Sequence, residues 1–171
     1  MLQEIKKIDL SKIKLAVFDF DFTLADHQNK GYAAYWKELD NSRTFYLEAY
    51  LHPETFYEET EVCAAPEAMR ALVAYLREQG TKLICLSAMG QTLHARAKQC
   101  FIEKHYGPGF EFLSCGSHEK KQAALQILQE ALDCRPEELL FVDDMADNVE
   151  RANDCGFTGL RADQVAALTE L

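Results

Sequence analysis

The chain of 171 residues is long enough for one well-buried domain and too short for two ordinary ones. Its formal net charge of −10 argues against generic binding to nucleic acid or to an anionic membrane, because both need clustered lysines and arginines. No segment reaches transmembrane length, the N-terminal residues lack the apolar core of a secretory signal, and the six cysteines form no CxxC pair, so we expect a reduced, cytoplasmic protein.

The first predicted element is a buried strand that ends in two aspartates. Residues 15–18 form a continuous apolar run, and Asp19 and Asp21 follow it. Buried carboxylates need partners or a metal, and α/β proteins bind ligands at the carboxyl ends of parallel strands. Aspartate is also a common cap of the following segment, so the pair alone leaves both interpretations open.

An aromatic-rich segment, residues 26–62, follows this strand and interrupts the alternation of strands and helices seen elsewhere. Helical spacing relates four of its residues, Tyr32, Tyr35, Trp36 and Leu39. This spacing favours a small helical insert with an aromatic core. In a second, compatible interpretation, some of these aromatic side chains close over a substrate.

The rest of the chain alternates helices and strands. Strands are predicted at 82–86, 110–113, 139–142 and 158–160. Helices are predicted at 65–80, from 93 to about 107, at 119–132, up to 155 and at 163–168. The apolar stripes expected to face the core include Leu93, Ala97, Cys100 and Phe101 on the second helix, and Leu125, Leu128 and Leu132 on the third.

This alternation is typical of βαβ units with a mainly parallel sheet and right-handed crossovers. We therefore predict one α/β domain over residues 1–171, with a Rossmann-like parallel sheet in three α/β/α layers. The segment 26–62 is then a small cap-like helical insert after the first strand.

A second acidic cluster, Asp143 and Asp144, follows the predicted strand 139–142. If the two acidic strands are neighbours, three or four carboxylates meet and repel one another unless a hard cation lies between them. Mg²⁺ favours oxygen ligands of this kind. The sequence therefore predicts a Mg²⁺ site formed by Asp19, Asp21, Asp143 and Asp144.

The first acidic cluster also supports covalent catalysis. A carboxylate such as Asp19 can act as a nucleophile and form an aspartyl phosphate. Asp21, two residues on, points to the same side of an extended chain, where it can protonate a leaving group and then activate water. Thr23 is placed to orient either carboxylate.

Two further positions supply the groups that neutralise and bind a phosphate. Ser87 ends the second predicted strand and offers a hydroxyl to a phosphoryl oxygen, although alone it would be an ordinary strand-end serine. Lys120 and Lys121, near the start of a helix, each offer a compact positive charge, although most single helix lysines are simply solvated. Phosphoryl transfer mainly needs positioning and charge neutralisation, which a metal and one lysine supply.

In this order, these residues resemble the motifs of the haloacid dehalogenase superfamily of phosphohydrolases. Residues 19–23 match its DxDxT first motif, and Ser87 matches the second. Lys121 best fits the third-motif lysine, with Lys120 as the alternative. The acidic fourth motif, in its double-aspartate form, matches residues 141–148. The resemblance covers nearly the whole chain, and the first and fourth motifs together are its most specific part.

The resemblance implies Mg²⁺-dependent phosphoryl transfer through an aspartyl phosphate. Asp19 would be nucleophile and metal ligand, and Asp21 would be the acid/base and offer the metal its backbone carbonyl. Asp144 would be the third ligand, with Asp143 beside it. An acid/base at position 21 indicates a phosphatase, because relatives that cleave other bonds often lack it. Phe22 replaces a common glycine, and its bulk narrows access near the leaving group.

The resemblance also limits the substrate class. Relatives usually take specificity from inserts, and here only the short segment 26–62 is available. We therefore expect an open site for a phosphorylated small molecule or protein, or a site that gains a lid when the chain forms a homo-oligomer. The main alternative is a catalytically weak module of the same fold that binds a phosphorylated ligand or partner. A phospho-acceptor receiver domain is a weaker alternative, because it would place its phospho-acceptor on a later strand.

Overall fold

The computed structural model describes residues 8–26, 51–62, 66–88 and 92–168. The strands are β1 Leu15–Phe18, β2 Ala25–Asp26, β3 Glu61–Val62, β4 Lys82–Ser87, β5 Phe110–Ser114, β6 Leu139–Asp143 and β7 Thr158–Arg161. The α-helices are α1 Pro53–Glu59, α2 Pro66–Glu78, α3 Thr92–Tyr106, α4 Lys121–Ala131 and α5 Ala146–Asp154. Short 3₁₀ segments lie at Leu10–Lys12, His118–Lys120, Pro136–Glu138 and Ala162–Ala167.

The main sheet is parallel, with the strand order β5-β4-β1-β6-β7. The chain starts in the centre at β1, builds outward on one side through β4 and β5, and then returns to the other side through β6 and β7. The predicted Rossmann-like α/β fold is confirmed. Here β1 lies between β4 and β6, which are the second and fourth strands of the main sheet in chain order. In receiver-type sheets the first strand instead lies between the second and the third.

Strands are added on one side of β1 and then on the other, so the crevice between β1 and β6 is the switch point of the sheet. Doubly wound folds bind ligands at this point. Phe18 at the end of β1 is in register with Val142 of β6. The residues that follow these two positions, Asp19 and Asp143, therefore emerge side by side. The two predicted acidic clusters meet because the topology makes their strands neighbours.

Both faces of the sheet are covered, so the central strand is buried on both sides. One core lies under α2 and α3 and includes the alternate residues Ala16 and Phe18 of β1. The other lies under α4 and α5 and includes Leu15 and Val17. This two-sided burial explains why β1 reads as a continuous apolar run rather than an alternating one.

Some helix faces differ from the prediction. On α3, Leu93 is 65% exposed and Cys100 is also exposed, while His94 and Lys98 are buried. The apolar stripe predicted for α3 was therefore wrong at two positions, because two polar residues occupy the inward face near the sheet edge. In addition, Leu132 lies beyond the end of α4 and is exposed.

Two predicted helix boundaries also differ. Residues 118–120 form a 3₁₀ turn, so α4 begins at Lys121 rather than at position 119. The last predicted helix is a 3₁₀ segment, Ala162–Ala167. Within the described ranges, no helix combines the length and apolar character needed to cross a bilayer.

The predicted insert is described at its two ends. β2 pairs with β3 in antiparallel register, Ala25 with Val62, and so closes the base of the segment. On α1, Phe56 and Tyr57 are each 2% exposed and belong to the main core. The other aromatic residues of the insert lie outside the described residues: Tyr32, Tyr35, Trp36, Phe45, Tyr46 and Tyr50.

Glu138 ties the starts of β1 and β6 together at the opposite edge of the sheet. Its carboxylate accepts hydrogen bonds from the backbone and side chain of Arg135, both at 2.9 Å, and lies 3.1 Å from Lys14 Nζ. The hydrogen bonds from Arg135 favour the ionised form and lower the pKa of Glu138 to about 2.

We expect Glu138→Gln to destabilise the protein near neutral pH and to matter progressively less in acid. Because the folded-state pKa of Glu138 is lowered to about 2, its carboxylate contributes stability above its ordinary pKa that is lost as the pH falls toward 2. Urea unfolding between pH 3 and 7 should show the gap between wild type and variant narrowing in acid. The exposed neighbour gives the control Glu137→Gln, which should show no such gap. A gap independent of pH would contradict the assignment.

Candidate active site

The loop after β1 presents two carboxylates to one cavity. Asp19 continues the sheet ladder, its backbone amide donating to the Val142 carbonyl at 2.8 Å. The chain then turns tightly, with the Phe20 carbonyl accepting from the amide of Leu24 at 2.9 Å. The turn brings Asp21 to the mouth of the site, where its side chain is 23% exposed.

Phe22 occupies the tightest point of this turn. Its φ of +60° lies in the left-handed region, which costs a residue with a side chain about 1 kcal/mol and costs glycine little. The conformation explains why glycine is favoured at this position of the first motif. The Phe22 side chain lines the same cavity as Asp19 and Asp21, as expected for a residue that narrows the approach.

A buried lysine holds the two acidic strands together. Lys121 Nζ lies 2.8 Å from Asp19 Oδ1 and 2.7 Å from Asp143 Oδ2. Asp143 is fixed further by Asn148 Nδ2 at 3.0 Å and by the Met145 amide at 2.9 Å. Of the two candidate lysines, Lys121 is therefore the one that reaches the carboxylates, while Lys120 is exposed.

Three carboxylates form a cluster suited to a cation. Oxygens of Asp19, Asp143 and Asp144 all lie within 4.8 Å of one another. Oxygen donors of this kind, two of them buried, fit the preference of Mg²⁺. The Asp21 side chain turns toward Lys98 instead, so its predicted contribution to the metal is the backbone carbonyl, which stays a prediction.

Two carboxylates of the cluster have raised pKa values, chiefly because they are buried. Burial, with the nearby negative charges of Asp143 and Asp21, raises the pKa of Asp19 to about 7 despite the attraction of Lys121. Burial and Asp143 likewise raise the pKa of Asp144 to about 6. For Lys121 burial acts to lower the pKa, but the attraction of Asp19 and Asp143 outweighs it and the pKa is raised. One ammonium does not balance three carboxylates, and a divalent cation would.

Ser87 and Lys98 form a second polar pair in the wall of the site. Lys98 Nζ, from α3, lies 2.6 Å from Asp21 Oδ2 and donates to Ser87 Oγ at 3.0 Å. The sequence analysis did not single out Lys98. The available signal was its place on the inward face of α3, next to Ala97 and three residues before Phe101.

Thr23 is buried behind the loop. Within the described part of the chain, its Oγ1 makes no hydrogen bond, so the structure does not bring it into contact with either carboxylate. Its orienting role stays a prediction.

The cavity has a volume of about 510 Å³. Its floor holds the acidic residues, and its rim comes from the loop that follows β5 and from the start of the loop after β6. The residues that line it are Asp19, Asp21, Phe22, Ala88, Gly116, Ser117, His118, Glu119, Asp144 and Met145. The sequence analysis did not predict the rim contributed by residues 116–118.

No protein-family model and no curated protein matches this chain. Solved structures do match it. A dehalogenase with an intermediate complex shares 18% identity over 85% of this chain and 83% of its own, with a TM-score of 0.57. A HAD family enzyme from Bacteroides thetaiotaomicron, in complex with magnesium and inorganic phosphate, shares 14% identity over 87% and 93%, with a TM-score of 0.54.

A third match, a structure assigned as a beta-phosphoglucomutase from Thermotoga maritima, shares 14% identity over 93% of this chain and 100% of its own, with a TM-score of 0.55. The chain thus has the fold of the haloacid dehalogenase-like hydrolases, as its motifs led us to expect.

Lys121→Met should destabilise the metal-free protein by about 3 kcal/mol, because Asp19 and Asp143 lose their shared counter-charge while staying buried. Lys120→Met, the control on the neighbouring exposed lysine, should change stability by less than about 0.5 kcal/mol. Urea unfolding with a chelator measures both. Excess Mg²⁺ should recover part of the Lys121→Met loss, since the cation supplies the missing charge. Equal effects of the two substitutions would contradict the assignment.

Proposed function

We propose that this chain is a Mg²⁺-dependent phosphomonoester hydrolase that works through an aspartyl-phosphate intermediate. One observation carries the proposal. Asp19 lies at the switch point of the sheet, 2.8 Å from a buried lysine and within a cluster of carboxylates that suits Mg²⁺. A second carboxylate, Asp21, lines the same cavity and is available for acid/base work.

The fold alone leaves the reaction open, because its solved neighbours include a dehalogenase and an enzyme with magnesium and phosphate bound. Asp21 favours phosphate chemistry. Phosphomonoester cleavage needs a group that protonates the leaving oxygen and later activates water, and Asp21 is the second carboxylate of the first motif. The resemblance of the motif points the same way.

In the first step, an Asp19 oxygen attacks phosphorus and the bond from phosphorus to the leaving oxygen breaks. Asp21, which must be protonated at this stage, gives its proton to that oxygen as it departs. Mg²⁺, held by Asp19, Asp143 and Asp144, would neutralise charge on the phosphoryl oxygens. Lys121 offsets the charge that remains, and Ser87 donates a hydrogen bond to a phosphoryl oxygen.

In the second step, water attacks phosphorus and Asp21, now ionised, accepts its proton. The bond between phosphorus and Asp19 breaks, which releases inorganic phosphate and regenerates the carboxylate. The same side chain thus acts first as acid and then as base. Lys121 stabilises the carboxylate that leaves in this step.

The substrate we propose is a larger phosphorylated compound or a phosphoprotein. Between Ser87 and Lys121 the described chain forms α3, β5 and a short loop, which leaves no room for a second large insert. Only the segment 26–62 is available to cover the cavity, unless a second copy of the chain does so. Efficient turnover of a small sugar phosphate, with phosphoproteins untouched, would count against this substrate class.

Release of phosphate from a broad panel of phosphorylated compounds, with and without Mg²⁺, tests the proposed reaction. We expect Mg²⁺-dependent release by the wild type and a loss of roughly 10³-fold or more in Asp19→Asn, because the nucleophile is removed. Asp154→Asn, which replaces an exposed aspartate at the end of α5 and outside the acidic motif, is the control and should retain activity. Near wild-type activity in Asp19→Asn would refute the nucleophile assignment.

Asp21→Asn should lower turnover by about 10²- to 10⁴-fold, since both the acid and the base are lost. Because breakdown of the intermediate needs the base, acid-quenched samples of this variant should contain labelled phosphoenzyme. Lys121→Ala should cost more activity than Lys120→Ala. If a folded, Mg²⁺-bound wild type released no phosphate from any compound, the alternative of a catalytically weak binding module would take precedence.

A further inference from the structure

Lys98 is a fully buried lysine in the wall of the site. Its side chain is 0% exposed, and it projects from α3 toward the loop that carries both catalytic-type aspartates. The ammonium donates to Asp21 and to Ser87. Phe20 and Tyr57 surround it further, with ring centroids 4.7 and 5.5 Å from Nζ.

These contacts surround the ammonium with polar and aromatic partners. It has three N–H donors. One carboxylate and one hydroxyl accept hydrogen bonds from it, and two aromatic rings lie within cation–π distance of Nζ. These partners distinguish Lys98 from a lysine whose alkyl chain is buried but whose ammonium reaches solvent. Its charge is used inside the protein rather than returned to solvent.

Stability alone does not explain a lysine at this position. An apolar side chain of similar length, such as methionine, would fill the space next to Phe20 and Tyr57 without desolvating a charge, and the partly exposed Asp21 carboxylate could still be solvated by water. What methionine could not do is fix the two polar side chains that the ammonium contacts. The charge of Lys98 is therefore best explained by its effect on the positions of the Asp21 and Ser87 side chains.

We propose that Lys98 is a positioning residue for phosphoryl transfer, which holds the Asp21 carboxylate and orients the Ser87 hydroxyl toward the reacting phosphoryl group. The proposal rests on the proposed function. Lys98 and Ser87 lie behind the cavity surface, whereas Asp21 lines the cavity, so Lys98 acts through the side chains that it contacts rather than on the substrate. An ammonium only donates, so Ser87 Oγ is the acceptor and its own hydrogen points away from Lys98.

The position of Lys98 also connects the insert to the site. Tyr57 belongs to α1, in the segment 26–62, and packs edge-on against Phe20 at 5.3 Å between ring centroids. Phe20 lies between Asp19 and Asp21 in the chain. Tyr57 therefore contributes to the burial of the ammonium, and the bonds to Asp21 and Ser87 form in a low-dielectric environment.

Steady-state kinetics of Lys98→Met test the proposal on the best substrate of the panel, with Mg²⁺ present. We expect kcat to fall by about 100-fold, as for a catalytic group displaced by roughly 1 Å, while KM changes by less than about 3-fold. Lys104→Met, an exposed lysine on the same helix, is the matched control and should stay within about 2-fold of wild type. Wild-type kcat in Lys98→Met would overturn the proposal.

A double-mutant cycle separates positioning from other roles. If Lys98 acts largely through Asp21, Lys98→Met should cost much less in an Asp21→Asn background than in the wild type, the remainder reflecting Ser87. Losses that simply multiply would show that Lys98 acts independently of Asp21, and would overturn its assignment as the residue that positions it. Lys98→Gln, which keeps an N–H donor, should recover part of the kcat lost in Lys98→Met.

Crystal structures distinguish failure of this proposal from failure of the proposed function. Asp21 is partly exposed, so Lys98→Met leaves a carboxylate that water can reach and the variant should fold. We expect the Asp21 carboxylate and the Ser87 hydroxyl to move in that variant. Side chains left in place would overturn the positioning role, even if the wild type released no phosphate at all.

Discussion

The arrangement of the site depends on one interaction, the ion pairs that Lys121 makes with Asp19 and Asp143. These carboxylates follow neighbouring strands at the switch point of the sheet, where they would repel each other without a cation between them. Lys121 offsets part of that repulsion, while burial, followed by the charges of Asp143 and Asp21, still raises the pKa of Asp19. Buried carboxylates with so little compensating charge favour a divalent cation, which is the physical basis of the Mg²⁺ site that we propose.

Sequence reasoning predicted the parts of this arrangement that depend on strand order and local pattern. The continuous apolar run of β1 follows from burial on both faces, and the acidic residues after β1 and β6 meet because parallel strands end at one edge. Helix α2 was equally readable, because its buried residues Met69, Leu72, Val73 and Leu76 repeat at helical spacing. The burial of a strand or helix can be predicted from its own residue pattern where the surroundings of each face are uniform.

Prediction failed where tertiary contacts override a local pattern. On α3 the inward face near the site carries His94 and Lys98, and an apolar stripe drawn through Leu93 and Cys100 points to solvent. Hydrophobicity cannot identify a lysine that is buried because a carboxylate and a hydroxyl from other elements receive its charge. The sequence favoured Lys121 but left Lys120 as an alternative, since only the position at which α4 begins decides which side chain faces Asp19.

Two buried lysines, Lys121 and Lys98, contact different aspartates of the first acidic cluster. Lys121 lies with the nucleophile candidate Asp19 and the metal cluster, on the α4 side of the sheet, while Lys98 lies with Asp21 and Ser87 on the α3 side. Each carboxylate is thus held by a different helix and on a different layer of the fold. A change that loosens α3, including one transmitted through Tyr57 at the base of the insert, would therefore disturb acid/base positioning and leave the nucleophile and its counter-charge in place. If Asp21 is the acid and the base of the two proposed steps, such a change would slow both steps while Asp19 keeps its counter-charge from Lys121.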